Sequence, residues 1–434
     1  MNAPARILAV STAIAALAIS SASSTVSAQT ALTRSVGPDV PAELPMSVYK
    51  NRRDALSKKL GNCAAAIKSR TTDDNLDEYF FYLTGISEPG VLLTLSPRGR
   101  VEKSSLNFPT RNPRSEIWTG YRERIDAKAR KKYMVDSARE SSRSIPRGLH
   151  YGIRKGKCYA HLRFPSSKED IPKKDLGRLL TGYEARSIQR WSTLEKMRAI
   201  HDAEEIKRLR KAIAITFKGH EAAVRDLVPG KVERQVATAI SEAYFEWGGT
   251  GLAFPSIVGS GPNGAVLHWW KNDRTIKDGD MAVIDIGAEY GHYAADITRT
   301  YPISGEFSKE QLEIYEKVLQ AQNEIIAMVR PGISMSELNQ AAIAKIEAAG
   351  HELPHTFGHF VGLEVHDVGD FDAPLEPGMV ITVEPGIYLK GKFGVRIEDM
   401  VLVTERGHDL LSADLPRTPG ELVAWMKKVR GEGK

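Results

Sequence analysis

Met281-Ala-Val-Ile-Asp-Ile-Gly-Ala288 and Tyr293-Ala-Ala-Asp-Ile-Thr-Arg-Thr300 are two short apolar runs that each carry one carboxylate, Asp285 and Asp296. Their Val, Ile and Ala content and their length suit buried strands, and Glu289-Tyr-Gly-His292 between them supplies the connection of a hairpin. A two-residue turn at Tyr290-Gly291 sets Asp285 directly opposite Asp296, with Cβ atoms about 4.5–5.5 Å apart on one face. Like charges that close repel, and a cation bound by both removes the repulsion.

The device recurs further along the chain. Val380-Ile-Thr-Val-Glu384 and Gly394-Val-Arg-Ile-Glu398 flank Lys390-Gly-Lys392, so a hairpin centred on Gly391 puts Glu384 opposite Glu398. Pro229-Gly230 and Pro331-Gly332, 102 residues apart, each end a long helix (206–227 and 312–329) and precede another (232–246 and 335–349), while Asp285 and Glu384 are 99 apart. Two related α/β halves facing each other bring both acidic strand pairs to one cleft. Between the hairpins, His355, His359 and His366 fall in a Gly-punctuated, β-like stretch. Two opposed acidic pairs with a histidine cluster read as a metal site. Four carboxylates and an imidazole form a hard donor set that suits two ions, Mn²⁺ ahead of Zn²⁺, Co²⁺ or Fe²⁺.

Upstream, residues 42–191 read as a separate mixed α/β domain and residues 192–434 as the duplicated one. The first starts with a helix at 47–60 and continues with strand-like apolar runs at 79–84 and 91–95. The basic stretch 122–132 reads as the solvated face of a helix. Residues 1–28 carry one charge, Arg6, then an apolar run of 13 residues and small residues ending Val26-Ser-Ala28. That layout predicts a secretory signal cut after Ala28, followed by a linker at 29–41, because the run is short of the ~20 residues that span a bilayer. Export leaves no stable membrane insertion after the signal is removed. Cys63 and Cys158, the only cysteines, have no metal-binding spacing, and their pairing is left open. The chain of 434 residues, 42% hydrophobic and 26% charged, is neither fibrous nor disordered, and its net charge of +6 is too diffuse for a nucleic-acid footprint.

These motifs resemble the pita-bread metallopeptidases, and most closely the aminopeptidase P group. The matching runs are Ser256-Ile-Val-Gly-Ser-Gly-Pro-Asn-Gly-Ala-Val-Leu-His268, the Asp285 and Asp296 strands, His355 through His366-Asp-Val-Gly, Val383-Glu384-Pro-Gly, and Val395-Arg396-Ile-Glu398-Asp. In the first domain, Tyr82-Leu-Thr-Gly-Ile-Ser-Glu-Pro-Gly90 and Glu116-Ile-Trp118-Thr-Gly120 are similar to the N-terminal domain of the same group.

The resemblance implies an α/β (α+β) fold: a creatinase/aminopeptidase P-type domain, then a pita-bread domain of two related α-β halves. It implies Asp285, Asp296, His359, Glu384 and Glu398 as ligands of two divalent ions, with Asp296 and Glu398 bridging. His268, His355 and His366 would hold substrate and stabilise the transition state, Glu384 would carry a proton, and Arg396 would orient carboxylates. The implied reaction is removal of the N-terminal residue from peptides with proline second, by a metal-bridged hydroxide, in a homo-oligomer (dimer or tetramer). The rivals are a prolidase confined to Xaa-Pro dipeptides, a methionine aminopeptidase, a creatinase-like hydrolase and a non-catalytic pita-bread binding protein.

Overall fold

The structure is a computed structural model that describes residues 41, 43–70, 76–96, 103–141, 147–156, 158–160, 162, 184–186 and 193–432. The expected signal at 1–28 and, apart from Pro41, the linker at 29–41 lie outside the described residues. No helix among those described is long and apolar enough to cross a membrane.

The amino-terminal part is a six-stranded mixed sheet, ordered 137–140, 104–108, 92–95, 64–68, 158–160, 184–186. Helix Met46–Leu60 forms where expected, but the run at 79–84 is helical, Glu78–Thr84, and not a strand. Asp77 caps its first turn by accepting from Phe80 N, Gly85 ends it at φ 67°, and Phe80 to Thr84 are all buried. Burial on every side hides helical periodicity in so short a run. The basic stretch also differs: only Ala129–Lys132 is helical, and Arg122 and Lys132 pair with Glu88 and Glu123. Cys63 and Cys158 form a disulfide with Cα atoms 4.5 Å apart, at the starts of two neighbouring parallel strands.

The carboxy-terminal part is built twice. Helix Ala203–Asp226 starts from a capping box between Asp202 and Glu205, and helix Lys309–Met328 from one between Ser308 and Gln311. Helices Glu233–Glu246 and Met335–Ala348 follow the two Pro-Gly turns. The repeat extends to single hydrogen bonds: Gly230 N donates to Ile276 O and Gly332 N to Leu375 O, both at 2.9 Å. The isolated bridges Val232–Thr275 and Ser334–Pro374 keep the offsets of 102 and 99.

In the second half the expected register is found. Gly386 pairs with Arg396 and Val383 with Asp399, so Glu384 and Glu398 stand across from each other at the junction of two strand pairs. In the first half it is shifted. Tyr290 pairs with Tyr293, and Asp285 faces Thr298, not Asp296. The turn is Gly291-His292, with φ 56° and 71°, the two positive values of a type I′ turn. Because the shift is two residues, both aspartates stay on one face and become diagonal neighbours. A large core cluster runs through both halves, and a second joins Leu56, Phe80 and Leu83 to Tyr293, Val361 and Leu363. The histidine-bearing segment is thus packed against the amino-terminal domain. That segment is not strand, its one ladder contact being the bridge from Phe360 to Ile381.

Candidate metal centre

A cavity of about 340 Å³ is lined by Asp285, Asp296, Glu384, Glu398, His268, His355, His359, His366 and Arg396, together with apolar Phe254, Ile257, Leu267, Trp270 and Val365. Every site residue expected from the sequence therefore meets the same space. Asp285 is the penultimate residue of the all-buried strand Met281–Ile286, Asp296 precedes Ile297–Pro302, and Glu384 and Glu398 flank the second hairpin.

Ligand atoms of Asp296, His359 and Glu398 lie within 4.8 Å of one another. His359 Nε2 is 3.3 Å from Asp296 Oδ2 and 3.5 Å from Glu384 Oε1. Its Nδ1–H donates to Phe360 O at 3.0 Å, which orients the ring and leaves Nε2 as the atom facing the carboxylates. Burial, then the neighbouring Asp285 and Glu384, push the Asp296 carboxyl well above its ordinary range, and burial with Asp296 does the same to Glu398. Asp285 Oδ1 and Asp296 Oδ1 are buried with no hydrogen-bond partner. Orphaned oxygens in a crowd of acids are what a cation would satisfy, so the donor set fits a divalent metal.

Thr298, Thr382 and Tyr388, which sequence reasoning missed, join the expected Arg396 in holding the acids in place. Thr298 Oγ1 donates to Glu398 Oε2 at 2.7 Å, Thr382 Oγ1 to Glu384 Oε1 at 3.2 Å, and Arg396 Nη2 to Asp285 Oδ2 at 2.6 Å. Tyr388 OH accepts from Arg396 Nη1 at 3.1 Å and donates to His355 Nε2 at 2.8 Å, the His355 Nδ1–H being taken by Thr356 O. Strand alternation was the available signal: Thr298 follows Asp296 by two, Thr382 precedes Glu384 by two, and Tyr388 follows Glu384 by four. Burial and the adjacent Arg396 lower His355 to about 4, and burial and the other imidazoles lower His366, so both rings are neutral at pH 7.

The histidine segment is pinned from behind. Arg198 Nη2 donates to Asp367 Oδ1 at 2.5 Å, Asp367 Oδ2 accepts from Leu363 N at 2.8 Å, and His201 Nε2 bonds Val361 O at 3.0 Å. No local sequence pattern announces the Arg198 and His201 contacts, which join residues far apart in the chain.

Residues 207–405 match metallopeptidase family M24, and residues 49–150 match the aminopeptidase P N-terminal domain. A Xaa-Pro aminopeptidase of Haemophilus influenzae is 32% identical, over 87% of this chain and 96% of its own. A Xaa-Pro dipeptidase of Pyrococcus horikoshii is 41% identical over 53% of this chain and 66% of its own. The solved structure of aminopeptidase P from E. coli with the inhibitor Pro-Leu has a TM-score of 0.79 at 30% identity, covering 90% of this chain and 100% of that one. On its catalytic fold, its first domain and its full-length likeness, this chain belongs to metallopeptidase family M24, in the aminopeptidase P branch.

Proposed function

We propose that this protein is a metal-dependent Xaa-Pro aminopeptidase, which hydrolyses the bond before a penultimate proline and releases the N-terminal residue. The observation that carries the reading is the convergence of four acids, four imidazoles and one guanidinium on a single cavity. The full-length likeness to a Xaa-Pro aminopeptidase supports the same substrate class. In this reading residues 42–191 are the first domain and 192–434 the catalytic one.

Asp285, Asp296, His359, Glu384 and Glu398 would hold two divalent ions, Asp296 and Glu398 being shared. The oxygen-rich set favours Mn²⁺, with Zn²⁺ or Co²⁺ as alternatives. Such ions lower the pKa of water and polarise a carbonyl. The remaining work belongs to the chain. Glu384, whose side chain is 16% exposed against 8% for Asp296 and 11% for Asp285, is the acid of these three most open to the cavity and the one suited to pass a proton to the leaving proline nitrogen. His268 and His366 offer N–H donors where negative charge develops on the scissile carbonyl oxygen. His355, tied to Tyr388 and Thr356, holds substrate, and Arg396 keeps Asp285 oriented.

Export to a periplasmic or extracellular space belongs to the same proposal, and the Cys63–Cys158 disulfide supports it, since such bonds persist in oxidising compartments. So does association into a dimer or tetramer, which sedimentation would measure. The likeness of the catalytic half to a Xaa-Pro dipeptidase favours one second reading, a strict dipeptidase. Assays of the purified protein on Xaa-Pro and Xaa-Pro-Xaa peptides, with Mn²⁺, Co²⁺ and Zn²⁺ added separately, decide between them. Cleavage of the tripeptide is expected; cleavage of the dipeptide alone would establish the dipeptidase, and no cleavage with any metal would refute both.

A further inference from the structure

Among the apolar residues on the cavity wall, Phe254, Ile257, Leu267 and Val365 are buried or half-buried, whereas Trp270 is 57% exposed. Its ring lies flat on His268, with centroids 5.3 Å apart and planes 12° apart. The loop beneath is fixed. Trp269 Nε1 donates to Glu233 Oε2 at 2.9 Å, and Trp270 N donates to His268 O at 3.1 Å. An indole this large, held rigidly with most of its face in solvent, is a contact surface waiting for a partner.

Burial gives the cavity a direction. Asp285, Asp296 and Glu398 are 7%, 5% and 1% exposed and form its closed end, while His268 and Trp270 stand at its mouth. An enzyme that removes one residue from the amino end keeps that residue on one side of the reacting bond. Everything after the proline must leave through the open side. The substrate's third residue therefore passes the mouth.

We propose that Trp270 is a specificity-determining residue that stacks against the third residue of the substrate and selects peptides with an aromatic side chain there. The inference rests on the aminopeptidase reading given above. It is tested by measuring kcat/KM of the wild type, Trp270→Ala and Trp270→Phe on Ala-Pro-Phe and Ala-Pro-Gly, and by calorimetric titration of the Mn²⁺-loaded proteins with Pro-Phe and Pro-Gly.

Wild type should favour the Phe peptide by about 2- to 10-fold, the range an aromatic stacking contact supplies. Trp270→Ala should bring the ratio to about one, and Trp270→Phe should keep most of it. Using a ratio cancels any general loss caused by freeing the His268 ring. An equal fall on both peptides, with the preference intact, would overturn the proposal and leave Trp270 as a support for His268 alone. So would a wild type without preference. If neither peptide is cleaved the aminopeptidase reading fails, and the titrations then decide: tighter binding of Pro-Phe that vanishes in Trp270→Ala sustains the stacking contact, and equal affinities refute it.

Discussion

Arg396 Nη2 donates to Asp285 Oδ2 across 2.6 Å and so ties the second half's hairpin to the central strand of the first. The same guanidinium reaches Thr298 Oγ1 through Nε at 3.3 Å and Tyr388 OH through Nη1 at 3.1 Å. It is 3% exposed, and Asp285 is 7% exposed, so both charges have lost most of their water. One planar group with fixed donors thus sets three side chains around the cavity.

Removing that group should expose the cost of the acid it faces. Arg396→Met leaves a buried carboxylate without its partner, a change that costs about 3–5 kcal/mol. Urea unfolding of the chelator-treated protein should show a loss of that size, and Mn²⁺ should restore part of it by supplying positive charge nearby. Arg396→Lys keeps the charge but not the three-way geometry, so it should recover stability better than it recovers kcat/KM.

Glu233 predicts a different kind of failure. Its buried carboxylate accepts from Ser260 N and Oγ at 2.7 Å, Asn263 Nδ2 at 3.0 Å, Trp269 Nε1 at 2.9 Å and Arg274 N at 3.1 Å. These donors bracket the loop that carries His268. In Glu233→Gln the amide nitrogen faces at least two donors whichever way it is turned, and each buried group left unmade costs about 1–3 kcal/mol. The expected result is about 2–4 kcal/mol less stability in denaturant, with a loss of kcat/KM beyond what Glu233→Asp produces. Unchanged kinetics would show that the His268 loop is held without Glu233.

Which parts of this architecture a sequence can announce depends on the range of the interaction. The second hairpin was legible because an odd loop centred on Gly391 (φ 79°) admits one register. The first was misplaced by two residues because Tyr290-Gly291 and Gly291-His292 are equally short. Only the positive φ of His292 separates them, and a histidine does not advertise it. The acidic face survived the error because side chains alternate with period two. The helix at Glu78–Thr84 was hidden by burial on all sides. The Arg198–Asp367 and Arg396–Asp285 contacts join segments that only the assembled fold brings together, so ligand-bearing strands could be read and much of what orients them could not.

The disulfide should matter to the amino-terminal sheet and much less to the catalytic cavity. Cys63 and Cys158 are 95 residues apart in sequence and join strands Ala64–Lys68 and Cys158–Ala160, which pair in parallel. Closing a loop of that length restrains the unfolded chain, a contribution of about 2–4 kcal/mol. The double variant Cys63→Ser, Cys158→Ser should unfold at lower temperature, with the first loss seen in the amino-terminal domain. At 25 °C its kcat/KM should stay near that of the wild type. A calorimetric scan paired with activity before and after reduction checks both parts.

His220 makes stability fall on the acid side. It is fully buried on helix Ala203–Asp226, where Nε2–H donates to Ile297 O at 3.2 Å and Nδ1 accepts from Tyr301 OH at 3.0 Å. Burial first, and Arg299 second, lower its pKa from 6.5 to about 3. The unfolded chain therefore takes up a proton below pH 6.5 that the folded chain refuses until about pH 3. The contribution is fully present above 6.5, is lost progressively as the pH falls between those two values, and reaches a slope of about 1.4 kcal/mol per pH unit for one proton. Replacing the ring by Gln removes the titrating group while keeping a donor and an acceptor. His220→Gln should start less stable at pH 7.5 yet lose less between pH 6 and 4, as read by urea unfolding at each pH. Parallel curves for the two proteins would show that His220 is not the group that titrates.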